Sequence, residues 1–262
     1  MSDAHPQFLA VGEQPTSRRI AYLRSAGTIL GRPGIVWLCG LKSEMTSTKA
    51  AAVSSWAADR GLACLRLDYG GRGKSEGKLK VGKVRRGREG VRAAFPRLSE
   101  GPQVLVGSSM GGYMALLLLR SLLAEAPEEA ERIKALVLIA PAWDMTELMW
   151  QNFPSSARRD IEASGVYLRP SRYGDGPYPI TRAFIEDGRK HLIGSSSFDP
   201  GRPVYILHGL QDPDVPWEHT LDLVAHLGGD WVRVEAVPDG EHRLSRPEDI
   251  DLLLKTIARA IS

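Results

Sequence analysis

With 262 residues, 43% of them hydrophobic and 25% charged, the chain has a globular composition and enough apolar material for a sizeable core. A net charge of +3 spread over that length is too small to imply a nucleic-acid partner. No run approaches the roughly 18 apolar residues a bilayer span requires; the longest is MALLLL before Arg120.

The first residues, MSDAHPQFLAVGEQPTSRRIAYL, carry two acids and no apolar run of signal-peptide length, so a cytoplasmic location is expected. IVWLCG (35–40) is predicted as a strand and STKAAAVSSWAADRG (47–61) as a helix ended by Gly61. LACLRLD (62–68) is the next strand, followed by the glycine-rich YGGRGKSEG and a basic helical stretch over 83–98. QVLVGSS (103–109) is a strand running straight into the helix MGGYMALLLLRSLLAEA. IKALVLIAPA (133–142), PVYILHG (203–209) and WVRVEAV (231–237) are further strands, and PEDIDLLLKTIARAI closes the chain as an amphipathic helix. Cys39 and Cys64 lie in strand-like apolar runs and read as buried thiols of a reducing compartment.

Near-continuous apolar strands alternating with helices predict one α/β domain over 1–262, with a mostly parallel sheet and helices on both faces. Right-handed crossovers bring the strand C-terminal ends to one edge, where ligands bind in such sheets. The stretch 143–197 breaks the rhythm. It holds prolines, glycines and two or three helix-like pieces but no strong strand, and is expected to be a small helical lid inserted between sheet strands.

Gly107-Ser108-Ser109-Met110-Gly111 matches G-x-S-x-G at a strand-to-helix junction. Small residues two positions either side permit a sharp turn that leaves the central hydroxyl exposed. Centring on Ser109 places glycine at both flanks, whereas centring on Ser108 would place Val106 and Met110 there. A serine needs a base, and the base an orienting carboxylate. Asp212 follows the strand PVYILHG, and His242 lies in the loop after WVRVEAV, in the order Ser, Asp, His. Asp214 is a rival for the acid. His208 ends a buried strand and reads as a core histidine, His219 as a surface or cap residue, and His5, His191 and His226 have no such context.

HGLQDPDVPW resembles the H-G-x-x-D-x-x-V-P segment common in α/β-hydrolases, and LDYGGRGKSEG resembles that family's D-x-x-G-x-G-x-S loop. With LVGSSMGGYM and DGEHR, the resemblance extends over roughly residues 33–260 to the family's palmitoyl-protein thioesterase and acyl-glucuronide esterase branch. It implies an α/β-hydrolase fold and Asp212 as the triad acid. It implies an oxyanion hole made by the backbone N–H groups of Met110 and of Leu41, after Cys39-Gly40 where many relatives have His-Gly.

The expected activity is cleavage of a carboxylic ester or thioester through an acyl-enzyme on Ser109, acting on a small acyl ester or an acylated thiol. No cofactor is required, and no cluster has zinc-ligand spacing. A serine peptidase or other acyl transferase on the same scaffold, and a catalytically dead binding protein, are the alternatives. Trp143, Met145 and Met149 are candidate substrate contacts, with Met145, Leu148 and Met149 on one helical face that either lines an acyl pocket or packs the lid on the body. The run Lys78, Lys80, Lys83, Arg85, Arg86 and Arg88 is either a solvated face or a guide for anionic substrates, and Arg72 and Lys74 read as structural.

Overall fold

The structure, a computed structural model, describes residues 5–14, 17–71, 73–76, 84–171, 176–194 and 196–262. Arg72 and the lysines Lys78, Lys80 and Lys83 of the basic run lie outside the described residues. Among the described residues no helix is long and apolar enough to cross a membrane.

Eight strands form one sheet. In chain order they are β1 (Gln7–Val11), β2 (Arg18–Ser25), β3 (Gly34–Leu38), β4 (Cys64–Leu67), β5 (Gln103–Ser108), β6 (Ile133–Ile139), β9 (Val204–Gly209) and β10 (Val232–Val237). The spatial order is β1-β2-β4-β3-β5-β6-β9-β10, and the six strands from β4 to β10 run parallel. β3 and β5 are buried at every position, which is why they read as unbroken apolar runs rather than alternating ones. β1 and β2 add an antiparallel flank that the sequence pattern did not signal. Their burial is mixed, so their polar and apolar residues interleave without a continuous run.

From β3 the chain steps outward to β4 through α1 (Thr48–Asp59), then returns past β3 to β5 through α2 (Val84–Leu98). Right-handed crossovers in opposite directions place these helices on opposite faces. Accordingly α1 packs with the C-terminal α9 (Pro247–Ile261), and α2 with α3 (Met110–Glu125). The reversal opens a crevice between the C-terminal ends of β3 and β5, the position at which such sheets bind ligands. Leu41 follows one of these strands and Ser109 the other.

The short helix α4 (Pro127–Glu131) leads into β6. Between β6 and β9 lie α5 (Met145–Asn152), α6 (Ser155–Ser164), the antiparallel pair β7 (Val166–Arg169) and β8 (Tyr178–Thr181), and α7 (Arg182–Gly188). The hairpin is an addition to the helix-like pieces expected over 143–197, where no strong strand is predicted. Each of its strands has four residues and only one of the eight side chains is buried, so neither carries the apolar run that marks a core strand. The two ends of the stretch meet at Asp144, whose carboxylate accepts the N–H groups of Ile193 (2.7 Å) and Gly194 (2.8 Å). Tyr113 and Arg120 of α3 donate to the carbonyls of His191 and Leu192, fixing the returning chain on the body. After β9, α8 (Trp217–His226) leads to the edge strand β10.

Cys39 and Cys64 are free and buried. Burial pushes the Cys64 thiol up to about 11, so it is a protonated packing group rather than a nucleophile at neutral pH.

Candidate active site

Ser109 joins β5 to α3 at φ 54° and ψ −116°, a positive φ that a residue with a Cβ adopts only when its surroundings impose it. Its N–H donates to Ile139 of the adjacent strand (2.8 Å) and its carbonyl accepts from Gly112 (3.0 Å) and Ala142 (3.2 Å). The turn is therefore held on three sides. The flanking glycines are demanded by close backbone approach. A Cβ on Gly107 would lie 2.4 Å from the Gly111 carbonyl oxygen, and a Cβ on Gly111 would lie 2.0 Å from that of Leu38. Ser108 is buried at the strand end, while Ser109 is half-exposed.

The side chains of Ser109, His242 and Asp212 meet at this turn, although Ser109 lies more than a hundred residues before the other two in the chain. His242 Nε2 is 3.0 Å from Ser109 Oγ, and His242 Nδ1 is 2.7 Å from Asp212 Oδ2. The other oxygen of Asp212 accepts the N–H groups of Asp214 (2.8 Å) and Val215 (2.9 Å). This carboxylate, 1% exposed, is thus fully hydrogen-bonded and aimed at the imidazole. Asp214, the rival acid, pairs instead with Arg169 of β7 at 3.1 Å. Among the described residues, Asp212, Asp214 and His242 also form a cluster of potential ligand atoms within 4.8 Å of one another.

The remaining histidines take ordinary places. His208 is fully buried, with Nδ1 at 2.8 Å from Thr220 Oγ1 and Nε2 at 3.1 Å from the Val215 carbonyl. Burial holds its pKa below the usual histidine value and keeps it neutral. It fixes the β9–α8 connection that carries Asp212. His219, expected as a surface or cap residue, lies half-buried in the first turn of α8. Its Nε2 lies 2.7 Å from the Trp143 carbonyl, and the Trp143 indole donates back to the His219 carbonyl at 2.8 Å.

That pairing also corrects the expectation that Trp143 contacts substrate. Its ring stacks between His219 and His226, away from the cavity walls, because its indole N–H finds a buried acceptor there. Met145 and Met149 do line the cavity, together with Leu148 of the same helix face. The cavity encloses about 540 Å³ and is also bounded by Leu41, Ser109 and His242. Its far wall is Phe153, Tyr167 and Tyr178 from the segment between β6 and β9. Four cationic residues, Lys42, Lys49, Arg169 and Arg243, complete the lining. No motif marks these residues in the sequence. They come from the loop after β3, the first turn of α1, a hairpin strand and the residue beyond His242, which only tertiary structure brings together.

Leu41 and Met110, the expected oxyanion-hole donors, both lie beside the serine turn. Met110 opens α3, and the first N–H groups of a helix have no partner within it. Gly40 packs against Ser109, so the next residue, Leu41, is at the edge of the same turn. The loop carrying Leu41 is held by Asp68, 1% exposed, whose Oδ1 accepts Met45 N–H (2.7 Å) and whose Oδ2 accepts Lys74 N–H (3.0 Å). Lys74 thus serves structurally through its backbone, as expected. Burial raises the Asp68 pKa, and these two donors oppose the rise. Asp68→Asn can present an acceptor to only one of them. A loss of about 1–3 kcal/mol in urea-unfolding free energy is expected, the usual cost of leaving a buried donor unpaired.

A mostly parallel sheet with a strand-to-helix serine elbow at its switch point is the architecture of the α/β-hydrolases. A family model described as "Serine aminopeptidase, S33" matches residues 35–170, and the chain belongs to the α/β-hydrolase family. Within it, the chain is similar to the mitochondrial palmitoyl-protein thioesterase ABHD10. The Mus musculus relative is 35% identical over 251 residues, covering 95% of this chain and 80% of the relative. The solved structure of mouse alpha/beta hydrolase domain-containing protein 10 superposes with a TM-score of 0.86 at 33% identity, over 98% of each chain. That of a putative hydrolase from Agrobacterium vitis S4 superposes with a TM-score of 0.94 at 39% identity, covering 98% of this chain and 99% of that one.

Proposed function

We propose that this hydrolase cleaves carboxylic esters or thioesters through an acyl-enzyme on Ser109. The observation that carries the reading is the unbroken relay from Ser109 Oγ to His242 Nε2 at 3.0 Å and from His242 Nδ1 to Asp212 at 2.7 Å. His242 takes the serine proton as the hydroxyl oxygen attacks the acyl carbonyl. The N–H groups of Leu41 and Met110 receive the negative charge that develops on its oxygen. Asp212 holds the imidazole with Nε2 free to accept and stabilises the cation that forms. His242 then protonates the departing alcohol or thiol, and water repeats the sequence on the acyl-enzyme. The name of these relatives, palmitoyl-protein thioesterase, supports the same bond class.

The cavity bears on the choice between ester and peptide substrates. An aminopeptidase must receive a cationic α-amine, which calls for acidic groups. Here the charged lining is four cations against Asp214, itself paired with Arg169. That balance favours ester or thioester cleavage. The apolar wall of Met145, Leu148, Met149 and Phe153 suits an acyl chain, and the volume falls in the range of small-molecule sites.

The test is hydrolysis of p-nitrophenyl esters over a series of acyl lengths, with fluorophosphonate labelling, in wild type and Ser109→Ala. Labelling lost and turnover lowered by several orders of magnitude in the variant support the reading; turnover in Ser109→Ala within about a hundredfold of wild type refutes it. The same series checks the acyl wall. Met149→Trp fills space along the cavity, so activity on the longest esters is expected to fall roughly tenfold relative to the shortest, about the discrimination one methylene's fit provides. An unchanged chain-length profile would remove Met149 from the acyl site.

A further inference from the structure

The loop that carries His242 runs from β10 to α9 and must hold the imidazole to within a fraction of an ångström for proton transfer. Its outer end is clamped by Arg246, which pairs with both Asp239 (2.7 Å) and Asp249 (2.9 Å). Immediately beyond His242 the backbone is strained: Leu244 is buried at φ 41°. The side chain that reaches this stretch from elsewhere in the fold is Lys49, in the first turn of α1. Its Nζ donates to the Arg243 carbonyl and lies 3.3 Å from Ser245 Oγ, which also donates to that carbonyl at 3.0 Å. Lys49 is only 8% exposed and lines the cavity alongside Ser109 and His242.

We propose that Lys49 is a positioning residue for the hydrolytic reaction, its ammonium anchoring the Arg243 carbonyl and thereby holding the His242 imidazole against Ser109. Because α1 follows directly on the loop bearing Leu41, the anchor ties the oxyanion side of the site to the base. The inference rests on the serine-hydrolase reading above.

An ammonium buried merely for packing would be a poor choice, since an apolar side chain fills the same space without losing hydration. The Lys49 pKa is lowered from 10.5 to about 8: burial is the main cause, opposed by Asp249 at the start of α9 and assisted by Arg243. The charged form is therefore the one present below about 8. As pH rises through that value the amine loses its proton and the charge-assisted hydrogen bond weakens. Activity should fall on that alkaline limb.

The experiment measures kcat and KM on neutral p-nitrophenyl butyrate from pH 6 to 9.5, with the rate of fluorophosphonate labelling and the thermal midpoint. Wild type, Lys49→Met and Lys49→Arg are compared. Lys49→Met keeps the length of the side chain and removes its charge. It is expected to remain folded, lose roughly tenfold in kcat and labelling rate, keep KM within about twofold, and show no alkaline limb. Lys49→Arg keeps a donor that stays charged throughout, so most of kcat should return, again without the limb. A folded Lys49→Met with wild-type kcat and an intact limb overturns the proposal. So does a loss expressed only in KM, which would make Lys49 a substrate contact. Should Lys49→Met fail to fold, an alkaline limb persisting in Lys49→Arg overturns it. Failure of the serine reading is separate: it would appear as turnover in Ser109→Ala within about a hundredfold of wild type, whatever happens at Lys49.

Discussion

Ser109→Ala should lower kcat/KM on p-nitrophenyl esters by about 10⁶-fold, with KM little changed and the fold intact. The size follows from what the hydroxyl does. Without Oγ there is no acyl-enzyme, and His242 at 3.0 Å has no proton to take. What survives is the contribution of the N–H groups at Leu41 and Met110 to direct attack by water, about 10³–10⁴ over the uncatalysed rate. Because Ser109 and His242 act as one unit, His242→Ala should cost about as much, and the double variant little more than either. Kinetics on purified protein, with fluorophosphonate labelling as an independent reading, decide it. A loss of less than about a hundredfold would mean that another group attacks the carbonyl.

Gly111→Ala is the second large expectation, and it acts on folding rather than chemistry. The added Cβ would stand 2.0 Å from the Leu38 carbonyl oxygen, 2.5 Å from the Leu38 carbonyl carbon and 2.9 Å from the Cys39 carbonyl oxygen. All three are backbone atoms of the strand end beside the elbow, so no side-chain rotation relieves the clash. Either α3 moves away from β3 or the loop toward Leu41 is displaced. A cost above about 4 kcal/mol is expected, a large share of the 5–15 kcal/mol that holds a typical domain. The variant should accumulate as insoluble protein or melt well below wild type. The neighbouring Gly112→Ala meets only the Pro141 ring and Cα, at 3.0 and 3.2 Å, and should be distinctly milder. Equal, mild effects at both positions would mean that the elbow backbone is more compliant than its hydrogen bonds imply.

The two variants separate what the serine turn needs chemically from what it needs sterically, and both needs are written into one short motif. That is why so much of the site was legible from residues alone. G-x-S-x-G singled out Ser109 over Ser108 because the spacing of glycines encodes backbone contact at Gly107 and Gly111. Asp212 and His242 were legible because each follows an apolar strand, and parallel strands deliver the residues after them to one edge. Choosing Asp212 over Asp214 rested on resemblance. The structure gives the physical distinction, since Asp214 is drawn to Arg169 of a hairpin that carries no sequence signal.

By itself, the sequence determined the buried parallel strands, the order of Ser109, Asp212 and His242 after their strands and the apolar face of α5. These depend on local pattern: runs of apolar residues, glycine spacing, helical period. Tertiary structure alone decided the antiparallel flank β1–β2, the hairpin β7–β8 and the turning of Trp143 away from the cavity into a stack between two histidines. It also decided the reach of Lys49 across to the carbonyl beside His242. The physical reason is common to all four. Short, half-exposed strands bury too little to leave a periodic trace, and a polar side chain declares its partner only when the fold brings a distant acceptor within hydrogen-bonding distance.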